Sequence, residues 1–204
     1  MALEIFLDRY AGNGPLCGRS AVGLQTVKVG QSETFSDFGD MLPAMSLVIR
    51  EMLDGDARSF LEVHRAAVRH IAVRDYPDEV IGAWAPLPIT QAAVDAAVAN
   101  AEGETRFIAQ RDGHIIGLAC LITANNELRA CYVAPEAAGT GVGKALLKKI
   151  EETARSAGCK TLYASSSLTA EQFYRSQGYE VVEYGHHMLR GRVPMTCVKI
   201  KKVL

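Results

Sequence analysis

The chain has 204 residues, 22 of them basic and 23 acidic, and 49% are hydrophobic, which is enough to fill one domain's core. A formal net charge of −1 argues against a nucleic-acid partner held through phosphates, and no run of ~18 apolar residues or opening signal-peptide pattern points to a membrane or to export. The five cysteines are scattered without CxxC spacing, which suits reduced thiols in a cytoplasmic protein and speaks against zinc or any other metal site and against a disulfide framework.

Residues 1–44 carry turn formers, Gly12-Asn13-Gly14-Pro15 and Gly39-Asp40, and sustain no helical stripe. Met45 leads directly into Ser46–Arg50, which reads as a first strand. The domain is therefore expected over 45–204, with 1–44 a poorly ordered extension or an upstream start misread as coding sequence. From Asp54 the pattern turns helical, with Asp54 as N-cap, Asp56 in the first turn and Phe60, Val63, Ala67 and Ile71 on one stripe. A short helix over 78–83 precedes Trp84, Pro86 and Pro88, and Thr90 caps a third helix over 91–101. Thr105–Gln110 and His114–Thr123 flank Asp112-Gly113, a strong hairpin signal. Glu127–Val133 is the next strand.

Pro135 ends that strand, having no N–H to donate. Gly139, Gly141 and Gly143 then alternate where a helix over 141–156 begins. Glycines let a ligand approach the backbone, and a helix N-terminus offers free N–H groups and a positive dipole end. Together they make a socket for a phosphate or pyrophosphate, with Lys144 at its rim. Ala138 and Ala145 break the P-loop pattern, and Lys144 stands where a dinucleotide fingerprint needs its last glycine. Gly158 is placed for a left-handed cap, and 159–164 reads as a strand parallel to the one before the helix.

A second informative stretch is Ser165–Tyr179. Thr169 and Gln172 read as a capping box, Leu168 and Phe173 as a hydrophobic staple, and Gly178 as the stop of a short helix. Residues 180–189 and 193–203 form a closing hairpin around 190–192, with Pro194 at a strand start. His186 and His187 fall on opposite faces there and so share no metal site.

Two runs carry a family resemblance: V-x-P-x-x-x-G-x-G-x-G over Val133–Gly143, and A-x-x-F-Y-x-x-x-G-[FY] over Ala170–Tyr179. Their order and spacing resemble the two signatures of the GNAT N-acetyltransferases of small bacterial type. The family usually has Gln or Arg where Ala138 stands. The resemblance implies an α/β fold, a central mixed sheet flanked by helices, with acetyl-CoA as co-substrate. It implies that the strands holding Val133 and Ala164 splay apart, that pantetheine pairs with backbone near Cys131 and Val133, and that Gly139, Thr140, Gly141, Val142, Gly143 and Lys144 hold the pyrophosphate, with Ser167 a further cofactor-binding residue.

A backbone N–H near Val133 would polarise the thioester carbonyl. Tyr174 would protonate the leaving thiolate; phenol and thiol pKa values differ by only ~1.5 units, so no large shift is needed. Glu127 is the candidate base, with Glu183 and His187 as others. Cys131, without a His/Asp partner pattern, reads as a small buried residue. Tyr76 and Trp84 are either acceptor-pocket walls or plain core aromatics. The expected activity is transfer of acetyl from acetyl-CoA to a small-molecule or protein amine by direct attack. A silent acyl-CoA-binding module on the same fold is the alternative, and the final hairpin could form a homodimer.

Overall fold

The computed structural model describes residues 46–204, and the expectation for 1–44 lies outside the described residues. The strands are β1 (Val48–Glu51), β2 (Thr105–Arg111), β3 (His114–Ile122), β4 (Glu127–Val133), β5 (Thr161–Ser167), β6 (Glu180–Met188) and β7 (Pro194–Val203). The helices are α1 (Ala57–His70), α2 (Asp78–Trp84), α3 (Gln91–Ala99), α4 (Val142–Ser156) and α5 (Glu171–Ser176). The strands form one sheet in the order β1-β2-β3-β4-β5-β7-β6, all neighbours antiparallel except β4 and β5. This is the expected mixed sheet flanked by helices.

Local chemistry explains most boundaries. Asp112 and Gly113 both take positive φ, 51° and 81°, matching the right-handed twist of the β2–β3 hairpin. Thr90 caps α3 by accepting from the Ala93 N–H at 3.2 Å, and a left-handed Asn100 ends it after Ala99, two residues short of the expected 101. Gly158 (φ 87°) ends α4, and the Cys159 N–H reaches back to the Ala154 carbonyl.

Two expected caps are replaced by tertiary bonds. Asp54 opens a 3-10 turn, and α1 starts only at Ala57. The Asp56 carboxylate accepts from the Leu53 N–H and pairs with Arg50 at 2.6 Å, tying β1 to the helix entry. The Thr169–Gln172 capping box does not form. The N-cap of α5 is Ala170, the Thr169 hydroxyl donates to Asp75 at 2.6 Å, and the Ala170 N–H donates to the Ser167 hydroxyl. The staple register of Leu168 and Phe173 shifts with it.

The main core lies between the sheet, α1 and α4 and includes Phe60, Phe107, Leu118, Leu146 and Ile150. A smaller core of Val68, Tyr76, Val80, Ile81, Trp84, Leu189 and Met195 sits under α2. Gly117 on β3 sets how closely α4 approaches: a Cβ there would lie 2.9 Å from both Val142 and Leu146. The outermost strand, β6, is bulged between Val181 and Glu183.

Candidate active site

Strands β4 and β5 are joined by a single ladder pair, Glu127 opposite Tyr163. Beyond it they diverge. The Ala134 N–H donates to the Ile116 carbonyl, and Val133 faces Gly117. By antiparallel alternation the Val133 and Cys131 N–H groups therefore turn away from β3 and into the gap toward β5. The gap opens into a cleft of about 410 Å³. Ala67 and Val68 of α1 and Ile71 just after it line it with Trp84, and so do Cys131, Tyr132 and Val133 of β4. The glycine turn contributes Ala138, Gly139, Gly141, Gly143 and Lys144, and the β5–α5 link contributes Ser167, Thr169, Ala170 and Phe173.

The glycine turn works as its spacing suggests. Gly139 and Gly141 take φ of 76° and 88°, a conformation side chains disfavour. Gly141 is the N-cap of α4 and has no side chain to close it, so the first-turn N–H groups face outward. Gly143 packs under Phe173: a Cβ would lie 3.3 Å from its ring. Two residues of the expected socket sit differently. The Thr140 hydroxyl donates to the Ala137 carbonyl at 2.8 Å, and the Val142 side chain is fully buried against β3. Val142 can offer the cleft only its backbone.

The expected catalytic and pocket residues divide. Tyr174 is buried, its ring edge-on to Phe173 and Tyr179 and within electrostatic range of Cys131 and Tyr132. It is not among the residues lining the cleft. Burial pushes its pKa well above the usual tyrosine value. Burial also pushes the Cys131 thiol up to about 12, which makes it a poor nucleophile at neutral pH.

Glu127 does not join the cleft. It starts β4 while Val133 ends it, so the two are about 20 Å apart at strand rise. The Glu127 carboxylate accepts from Arg129 at 3.2 Å. Arg129 also binds Glu102 and Glu104, and Glu104 binds Arg106 at 2.6 Å, in a largely buried network. Glu183 pairs with Lys199 on the β6–β7 hairpin. His187 is buried and His186 exposed, on the opposite faces expected. Trp84 lines the cleft, but Tyr76 is not among the lining residues; its hydroxyl accepts from the Leu168 N–H and donates to the Thr196 carbonyl.

One cleft residue went unremarked in the sequence. Tyr132 faces α1 while Cys131 and Val133 face α4, and period-2 alternation around Val133 would have found it. His64 of α1 stacks edge-on against Tyr132 at 4.6 Å between centroids, and Trp84 lies 6.3 Å from the same ring. His64 is 1% exposed, and desolvation lowers its pKa to about 3. The folded state holds it neutral, so its contribution is intact above the unfolded value of about 6.5 and is lost as pH falls toward 3. Stability should drop by up to roughly 1.4 kcal/mol per pH unit in that window from this group alone. Urea midpoints between pH 7 and pH 4 check it, and a His64→Gln chain should show a shallower fall.

Residues 60–179 match the family described as "Acetyltransferase (GNAT) family". An aminoglycoside N(6')-acetyltransferase type 1 from Stenotrophomonas maltophilia is 27% identical over 117 residues, 50% of this chain and 76% of that protein. A GCN5-related N-acetyltransferase from Rhodopseudomonas palustris superposes with a TM-score of 0.71 at 26% identity, over 81% of this chain and all of that one. The PaiA N-acetyltransferase of Thermoplasma acidophilum, solved with coenzyme A, shares the fold with a TM-score of 0.62 at 20% identity, over 78% of this chain and all of that one. The residues matched include both the glycine turn and Tyr174, and the chain belongs to the GNAT family of acetyltransferases.

Proposed function

We propose that the protein moves an acetyl group from acetyl-CoA to a primary amine, by direct attack through a tetrahedral intermediate. The observation that carries this reading is the β4–β5 gap, joined by one ladder pair and ending at the uncapped N-terminus of α4. The amides of Gly141, Val142, Gly143 and Lys144 would hold the pyrophosphate, with the Lys144 ammonium beside them. Pantetheine would thread the gap as a substitute strand, pairing with the inward backbone groups of Cys131 and Val133. The Val133 N–H would donate to the thioester oxygen and stabilise the oxyanion that forms there.

The amine nitrogen bonds to the acetyl carbon, and collapse of the intermediate breaks the carbon–sulfur bond. The leaving thiolate takes a hydrogen bond from Tyr174, whose raised pKa keeps the phenol protonated across the neutral range. Among the described residues lining the cleft there is no carboxylate. The amine's proton would therefore leave through solvent. The acceptor side, with Val68, Ile71, Trp84 and Tyr132, suits an amine presented on a small molecule or on a protein. A thiol-release assay with acetyl-CoA and a panel of amines tests the proposal. Turnover of one amine supports it, and failure of acetyl-CoA to bind would overturn it.

A further inference from the structure

Strands β5 and β7 pair from Thr161 opposite Val203 to Ser167 opposite Cys197. Just before this ladder, the Leu204 N–H donates to the Lys160 carbonyl at 3.0 Å. That bond fixes the alternation: the closely bonded pairs fall at the even-numbered residues of this stretch. The next such pair after Ser167 is Leu168 opposite Thr196. In a continuing ladder the Leu168 N–H would donate to the Thr196 carbonyl.

A phenol occupies that place. The Tyr76 hydroxyl accepts from the Leu168 N–H at 2.8 Å and donates to the Thr196 carbonyl at 2.7 Å. The other group of the missing rung, the Leu168 carbonyl, accepts from the Glu171 N–H at the start of α5. Thr169 donates to Asp75, the residue before Tyr76, so two neighbouring bonds fasten the same two loops. The Tyr76 ring is buried and lies edge-on to Trp84 at 5.6 Å.

We propose that Tyr76 is a positioning residue that ends β5, its hydroxyl serving as an inserted rung that turns the chain at Leu168 out of the sheet and into the wall of the cleft. Thr169, Ala170 and Phe173, which face the glycine turn across the cleft, all follow from that turning point. So does the start of α5, which carries Tyr174. One hydroxyl of the α1–α2 connection thus sets the distance between the two walls. Misplacement of reacting groups by about 1 Å can cost 10²-fold in rate. The effect on acetyl transfer rests on the reading of the cleft proposed above; the inserted rung itself does not.

Tyr76→Phe keeps the ring and removes both bonds. Amide exchange on the ligand-free protein reads the rung. The native Leu168 amide should be protected like that of Ala164 within the ladder, and Tyr76→Phe should speed its exchange at least tenfold while Ala164 is unchanged. Kinetics with acetyl-CoA, well below the melting temperature, read the positioning: kcat should fall about tenfold, more than the affinity for coenzyme A changes. If Tyr76→Phe does not fold, Thr169→Val removes only the companion bond and should lower kcat about threefold, with Thr169→Ser restoring it. An unprotected Leu168 amide in the native chain overturns the rung. A freed Leu168 amide with unchanged kcat leaves only a stabilising bond and overturns the positioning role. If the native chain binds no acetyl-CoA, the reading of the cleft fails, and the exchange result still judges the rung.

Discussion

Gly141→Val should bind coenzyme A about 100-fold more weakly than the native chain, the equivalent of losing one or two charge-assisted hydrogen bonds at ~1.5–3 kcal/mol each. At φ 88° a β-branched residue is held where its Cβ crowds the backbone, at a cost of about 1–3 kcal/mol. That strain falls on the N-cap of α4, the residue that aims the first-turn amides. An added Cβ at this position meets no heavy atom within 4 Å, so the side chain projects into open space at the cleft rather than into the core. Gly103 is the matched control, with φ of 63°, equally open surroundings and no place in the cleft. Gly103→Val should cost similar stability and leave coenzyme A affinity within about twofold. Titration calorimetry on both decides. Native affinity in Gly141→Val would mean that the turn does not hold the pyrophosphate.

Tyr174→Phe should lower kcat by about 10²-fold, the scale of one hydrogen bond to a charged leaving group, while coenzyme A affinity stays within about twofold. The hydroxyl is the only atom removed, so packing against Phe173 and Tyr179 is retained. Because burial raises the phenol's pKa, its ionisation should not shape the alkaline side of the kcat profile below pH 10. A native kcat in this variant would make Tyr174 a packing residue. Tyr174 is buried and absent from the residues lining the cleft, which makes that outcome a sharp test rather than a formality.

What the sequence made legible were features whose chemistry is local. Asp112-Gly113, the alternating glycines and Gly158 each announce a backbone conformation that few other residues tolerate, and each sits where that conformation is used. The order of strands and helices followed from periodicity. What it hid depends on partners distant in the chain. The Thr169–Gln172 box matches a local motif, yet Asp75 takes the Thr169 hydroxyl from 94 positions away. Tyr76 stood open between pocket wall and core aromatic, because its bonds to Leu168 and Thr196 exist only once three elements meet. Gly117 carries no turn signal at all, since its need arises from α4 lying on the other side of its missing Cβ. Glu127 is the exception: counting residues along its strand would have placed it at the far end from the glycine turn.

The single ladder pair between β4 and β5 also bears on how the domain comes apart. Strands β1–β4 form one continuous antiparallel ladder and β5–β7 a second, and along their shared boundary almost no backbone hydrogen bonds hold them together. Helix α4 and the side chains packed beneath it carry that junction. The two strand groups are therefore natural candidates for separate cooperative units, opening at lower free energy than the whole. A ligand lying along the seam would stitch them, and ligation would raise the melting temperature and merge two opening events into one.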